Sequence, residues 1–454
     1  MAASAHRLLL LEFNELCPSL IERFMAEGAL PNFKRLRERS RAFITHTNEP
    51  VLEPWIQWVT VHTGVPLDQH GIFDLDEAAK LRHEAFWDGL TSENVLLMCP
   101  MNVRFNRTDG SIFMPDPWAA SQVPSREIEP FYRFVRSAVN GHARSAGFDR
   151  KTAVDALRYL AGHGMTLRTF LELIRQLVQE RIGDRDVKWR RATMLDKLCW
   201  DVFAYFWRSE RRPRIGVFFS NATAHYQHKY WRHHDPEAFT LKPDPRELRS
   251  YGEAIRYGYR GLDDLIGKAM KIAGSDTAIV LCTALSQQPM LDYEARGGKS
   301  MFLPKDFKAL LALLGTRVDV RVEQIMAEEA RLHFDNAADA ERARACLAHA
   351  TTSEGLPVFK LRGFDGRSFI TGCGVFSSEV TPQTRIQAAG RSASFHEHFI
   401  PMPTTTSAKH HPDGVLWVAA PSGQSPSGQP NAEVEHIPLT QVRTQFDEIL
   451  ALHG

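Results

Sequence analysis

"HRLLLLEFNELCPSLIERFMAEG", residues 6–28, decides how the rest of the chain is read. A short apolar run ends in polar residues, Pro18 stands where a helix can start, and apolar side chains then follow at helical spacing. Strand followed by helix is the opening of a parallel α/β unit. Comparable runs recur at "NVLLMCP" (94–100), "RIGVFFSNAT" (214–223), "TAIVLCTA" (277–284) and "DGVLWVAAP" (413–421), with helical segments between them. The pattern predicts an α/β three-layer sandwich with a mostly parallel central sheet covered on both faces. Ligands of such sheets bind beyond the carboxyl ends of the strands. That rule selects Asn14, the stretch from Ala224 to His228, and Gln287 with Gln288.

Two stretches interrupt the alternation. Residues 125–210 are rich in Leu, Arg, Phe and Trp at helical spacing and are expected to form an inserted helical cap. Residues 305–361 are expected to form a small α+β insertion. The α/β core is then assigned to 1–124, 211–304 and 362–454. "PSGQSPSGQPN" (421–431) has the composition of a flexible loop.

Lys and Arg number 55 against 54 Asp and Glu, a net charge of +1, with no long run of one sign. This gives no electrostatic case for nucleic acid, so a small-molecule substrate is expected. The six cysteines are scattered without CxxC spacing and read as reduced core thiols. "MAASAHRLLLLEF" is too short in its apolar run for a signal peptide or a membrane span. A cytoplasmic protein without membrane insertion is the expectation.

Five segments, in order, resemble the phosphodiesterase, nucleotide pyrophosphatase and phosphomutase-like branch of the alkaline phosphatase superfamily. They are the opening strand with "CPSLIERFMAEGALPNFKRLRERS", then "EPVLEPWIQWVTVHTGVPLDQHGIFD", "FFSNATAHYQHKYWRHHDP", "SQQPM" and "KHHPDGVLWVAAP". The resemblance implies that fold, and a chemistry resting on two metal ions, usually zinc, beside a threonine nucleophile. At the implied ligand positions, however, the chain carries Asn14 for the first aspartate, Gln287 and Gln288 for an Asp-His pair, and Ala224 for another aspartate. Glu53 stands at the nucleophile position, while His228 and His410 keep their identity.

Neutral amides bind dications far more weakly than carboxylates or imidazoles do. The substitutions therefore predict a dismantled di-metal centre rebuilt as a hydrogen-bonding site, with no cofactor. In this reading the chain is an enzyme that hydrolyses or transfers an ester or phosphoester group without metal. Glu53 acts as base or nucleophile, His228 and His410 carry protons, and Asn14, Gln287, Gln288 and His225 bind substrate. Thr60 or Thr63 is the relevant hydroxyl if the register slips. One alternative is a phosphodiesterase-type hydrolase with one zinc or other divalent ion on His225, His228 and His410. Another is a non-catalytic binding or scaffold protein.

Overall fold

The structure, a computed structural model, describes residues 7–90, 93–107, 109–119, 121–144, 150–183, 186–324, 329–402, 406–421 and 434–450. The chain forms two compact units, one of residues 1–234, 243–289 and 408–454, the other of 235–242 and 290–407. The expected loop at 421–431 falls almost wholly outside the described residues.

The first unit is built on eight strands. In chain order they are β1 (Arg7–Phe13), β2 (Ser40–His46), β3 (Val95–Met98), β4 (Ile112–Met114), β5 (Ile215–Ser220), β6 (Thr277–Thr283), β9 (Asp413–Ala419) and β10 (Glu435–Pro438). Their order across the sheet is β10-β2-β9-β6-β1-β5-β3-β4. All neighbours are parallel except β9, which runs antiparallel to β2 and β6. A separate antiparallel pair, β7 (Ser286–Pro289) and β8 (Ala408–His411), sets Gln287 opposite His410.

Adjacent residues of β5 show that both faces are covered. Phe218 meets Trp200 and Phe203 of one helix (Arg191–Trp207), while Phe219 meets Trp58 of another, Pro54–Thr63. Gly216 is small for a reason: a β-carbon there would lie 2.7 Å from the Trp207 ring. Leu8 through Leu11 of β1 are completely buried, as a central strand of such a sheet requires.

The helical stretch differs from the expected cap. Its last helix, Arg191–Trp207, is one of the sheet's covering helices, because its aromatic side fills the space above β3 and β5. The helices before it (Glu129–Arg144, Arg150–Gly162 and Leu167–Ile182) belong to the same unit. The second insertion is α+β but wider than 305–361. Its four-stranded sheet places Ser368–Cys373 between Phe359–Arg362 and Glu329–His333, so the segment after 361 is bound into it by backbone pairing. Phe307, Leu310, Leu332, Leu347 and Phe369 form part of that unit's core. All six cysteines are free, and five are buried.

β1 also carries a charge into the core. Glu12 is fully buried and its Oε1 lies 2.7 Å from His62 Nε2, with the imidazole seated between Trp58 and Trp87. Removing one member of such a pair strands the other in a low-dielectric interior. His62→Ala is therefore expected to destabilise the first unit by about 3–5 kcal/mol. A shifted denaturation midpoint followed by tryptophan fluorescence is the measurement; an unchanged midpoint contradicts the pair's role.

Candidate functional site

The strand ends converge on one residue that the sequence reading passed over. β1 closes its ladder with Asn14 N–H donating to Ser220 O, and the next residue, Glu15, adopts φ +59°. A glutamate in the left-handed region is uncommon and is held only where its surroundings fix it. Here the fixing groups are visible. Gln227, on α7 (Ala222–His234), donates from Nε2 to the Glu15 carbonyl. Tyr259 in turn donates its hydroxyl to Gln227 Oε1 and accepts from Cys17 N–H.

The Glu15 side chain is buried and surrounded by donors. Asn14 Nδ2 donates to Oε1 at 2.8 Å, and Gln287 Nε2 donates to Oε2. His228 Nε2 lies 2.9 Å from Oε2, and His410 Nε2 lies 3.3 Å from the same oxygen. The two imidazole rings meet edge to face, 5.1 Å apart. Burial alone would raise the Glu15 pKa, but the charges of His410 and His228 and their hydrogen bonds outweigh it and hold the carboxyl far below its ordinary range. For His410 burial works the other way, yet Glu15, followed by Glu53 and the Leu52 carbonyl, pushes its pKa up to about 9.

The outer nitrogens are also placed. His228 Nδ1 lies 3.3 Å from the Ala408 carbonyl, which can only accept, so that nitrogen carries the hydrogen. The Leu52 backbone hydrogen-bonds to His410, and His410 Nδ1 is 3.7 Å from Glu53 Oε2. Glu53 is the N-cap of α2 (Pro54–Thr63) and makes no side-chain cap bond there. Its partly exposed carboxylate thus sits at the positive end of a helix on the open side of the cluster.

The other expected site residues divide. Gln287 reaches the site, but its amide hydrogens go to Glu15 and to the Ala224 carbonyl, leaving its buried Oε1 without a partner among the described residues. Gln288 donates to the His410 carbonyl across the β7–β8 pair and serves the backbone. Asn14 bonds Glu15, Asn221 and the Trp58 indole, so it braces the carboxylate rather than facing a ligand. Thr60 lies 3.4 Å from His70 Nε2, and Thr63 donates to the Val59 carbonyl inside α2; both are buried.

Among the described residues, the cluster of side chains able to hold a metal is Glu15, His228 and His410, with their ligand atoms within 4.8 Å of one another. His225 is not part of it. The sequence signal for Glu15 was its position, an acid at the end of β1 one residue beyond the aspartate position that Asn14 occupies. The amides of Asn14, Gln287 and Gln288 donate to Glu15 or to main-chain carbonyls. One ion fits. Two ligands about 2.0–2.1 Å from a tetrahedral zinc lie about 3.3 Å apart, close to the His–Glu distances seen here. His228 also places a carbonyl, that of Ala408, behind the nitrogen that faces Glu15, an arrangement found in metal-bound histidines.

No family model matches the chain, and no curated protein matches it. Among solved structures the chain is similar to a phosphonoacetate hydrolase from Sinorhizobium meliloti 1021, with 13% identity, a TM-score of 0.46 and coverage of 98% of this chain and 96% of that one. It is similar also to the murine ectonucleotide pyrophosphatase/phosphodiesterase 5, with 8% identity, a TM-score of 0.42 and coverage of 98% and 95%. A mutant TAB5 alkaline phosphatase gives 8% identity, a TM-score of 0.40 and coverage of 99% and 98%. These neighbours are alkaline phosphatase superfamily members. Likenesses this remote carry no inference about chemistry, which rests on the residues above. No described helix is long and apolar enough to cross a membrane.

The ion pair sets a pH dependence in chelator-treated protein. His410, raised from 6.5 to about 9, contributes stability that is fully present below 6.5 and lost as pH rises through 9. Glu15, lowered from 4.5, contributes stability present above 4.5 and lost as the medium is acidified below it. The stability gap between wild type and His410→Gln should thus be widest between pH 4.5 and 6.5 and shrink towards pH 9. Thermal melts across that range measure it; a gap independent of pH contradicts the pairing.

Proposed function

We propose that this protein is a hydrolase, or group-transfer enzyme, acting on a small ester or phosphoester, with one divalent cation held by Glu15, His228 and His410. One observation carries the reading: two imidazole Nε2 atoms converge on a single buried carboxylate oxygen, while the outer nitrogen of His228 is occupied by the Ala408 carbonyl. Two hydrogen-bond acceptors do not sit face to face at 2.9 Å unless a proton or a metal lies between them. A bound zinc or similar ion would polarise an ester or phosphoryl oxygen and offset charge that develops on it.

The chain's own groups do the rest. Glu53, on the open side and beyond His410, is the base that takes a proton from the attacking water or hydroxyl. Its carboxylate lies at the N-terminus of α2, 3.7 Å from His410 Nδ1. Asn14 and Gln287 fix the Glu15 carboxylate so that its orientation does not depend on the ligand. The free Gln287 Oε1 is an acceptor for a donor group on the substrate or for a water. The metal-free alternative draws on a separate observation, the raised His410 pKa, which gives the site a self-consistent ion pair and a general acid without any ion.

Elemental analysis of protein purified without chelator separates the two. About one equivalent of a divalent metal is expected, falling to background in Glu15→Gln combined with His228→Ala. Hydrolysis of p-nitrophenyl phosphate, bis(p-nitrophenyl) phosphate and p-nitrophenyl acetate gives the activity. Glu53→Gln should lower kcat by about 10²–10⁴ while metal content stays unchanged. Metal at background with full turnover overturns the one-ion reading, and turnover untouched by Glu53→Gln removes it as base.

A further inference from the structure

The helix α5 (Leu167–Ile182) is turned inside out. Its buried residues are Thr169, 2% exposed, and Gln176, 4% exposed. Leu167, Phe170, Leu171, Ile174, Leu177, Val178 and Ile182 are all exposed, Leu167 to 73% and Ile182 to 80%. At about 100° per residue these seven occupy an arc of about 140°, centred opposite Thr169 and Gln176.

Polar contacts hold the helix in that rotation. Thr166 caps it through Thr169 N–H, and Gln176 Nε2 donates to the Val187 carbonyl at 2.7 Å. Glu172 pairs with Lys197, and Glu180 with Arg191, both on the covering helix behind it. Turning the apolar arc inward would break the three contacts of Gln176, Glu172 and Glu180. The outer face is therefore built for contact with something else. Seven exposed large apolar side chains on one helix face are more than the scattered single residues a soluble surface ordinarily carries.

Charge identifies the occupant. Both acids of the helix, Glu172 and Glu180, are tied to cations on the inner side. Arg168 and Arg175 are exposed along one border of the apolar arc and Arg181 is exposed within it near the helix end, Arg168 also reaching Glu172 and Asp264. The acids beside the face, Glu172 and Asp264, are already paired with Lys197 and Arg168, so a second copy would bring Arg175 and Arg181 against one another without an acid to answer them. Exposed arginines along an apolar stripe match acidic headgroups over acyl chains.

We propose that α5 docks this protein on the surface of an anionic lipid bilayer, with its apolar arc at the headgroup boundary and its arginines among the headgroups. The helix lies in the interface and does not span it. The inference is independent of the catalytic reading.

Co-sedimentation of the full chain with vesicles of phosphatidylcholine alone, and of phosphatidylcholine with phosphatidylglycerol, tests it. Binding to the anionic vesicles, weakened by salt and at least about tenfold stronger than to the neutral ones, is expected. Leu171→Glu with Ile174→Glu should abolish it, and Arg175→Glu with Arg181→Glu should reduce it about tenfold, with melting temperatures at or above wild type showing that the variants fold. Phe170→Trp gives a direct readout, a blue shift of emission on adding anionic vesicles. Equal binding to both vesicle types, or none to either, overturns the proposal. So does a wild-type dimer that Ile174→Glu converts to monomer, since that assigns the face to a second copy.

Discussion

The Glu15 carboxylate is the constraint around which the carboxyl end of the sheet is arranged. A fully buried carboxylate is unfavourable by several kcal/mol unless its charge is matched and its oxygens are hydrogen-bonded. Four elements supply those partners: Asn14 beside it, His228 on α7, Gln287 on β7 and His410 on β8. β1 holds a second buried acid, Glu12, sealed in the core against His62. The strand therefore carries two acids with different fates. Glu12 is enclosed between helix and sheet, whereas Glu15 lies past the strand's end, where His228 and Glu53 remain partly open to solvent.

The neutral amides acquire a structural meaning from this. In sequence, Asn14, Gln287 and Gln288 look like metal ligands stripped of charge and turned to substrate binding. In the structure Asn14 and Gln287 point their donors at Glu15, and Gln288 secures the main chain behind His410. An amide suits this because it adds a hydrogen bond to the carboxylate without adding a proton that competes for it. The negative charge missing from the expected positions is partly restored one residue along.

Much of the architecture is legible in the sequence because a buried parallel strand needs a continuous apolar run, and "LLLLEF", "VLLM", "IGVFF" and "TAIVLCT" are such runs. His228 and His410, read in the sequence as retained ligand types, and Glu53, read at the nucleophile position, do come together: both imidazoles reach Glu15, and Glu53 lies beside His410. Glu15 is not legible, because its role depends on a positive φ and on a brace from Gln227, 212 positions away in sequence. The helical stretch misleads for a related reason. Its aromatic residues read equally as cap or as sheet cover, and only Gly216 beneath Trp207 decides which.

The β7–β8 pair joins these threads. The chain leaves the first unit after Pro289 and returns at Ala408, and those two residues face each other in the antiparallel register that also sets Gln287 against His410. Side chains alternate along a strand, so a slip of one residue would carry Gln288 to Glu15 and turn Gln287 away, while His410 lost its Nε2 contact. The long excursion between the two strands is thus compatible with a precise site because its ends are closed by backbone hydrogen bonds. The positions of Glu15, Gln287 and His410 are set by that register and by the turn at Glu15.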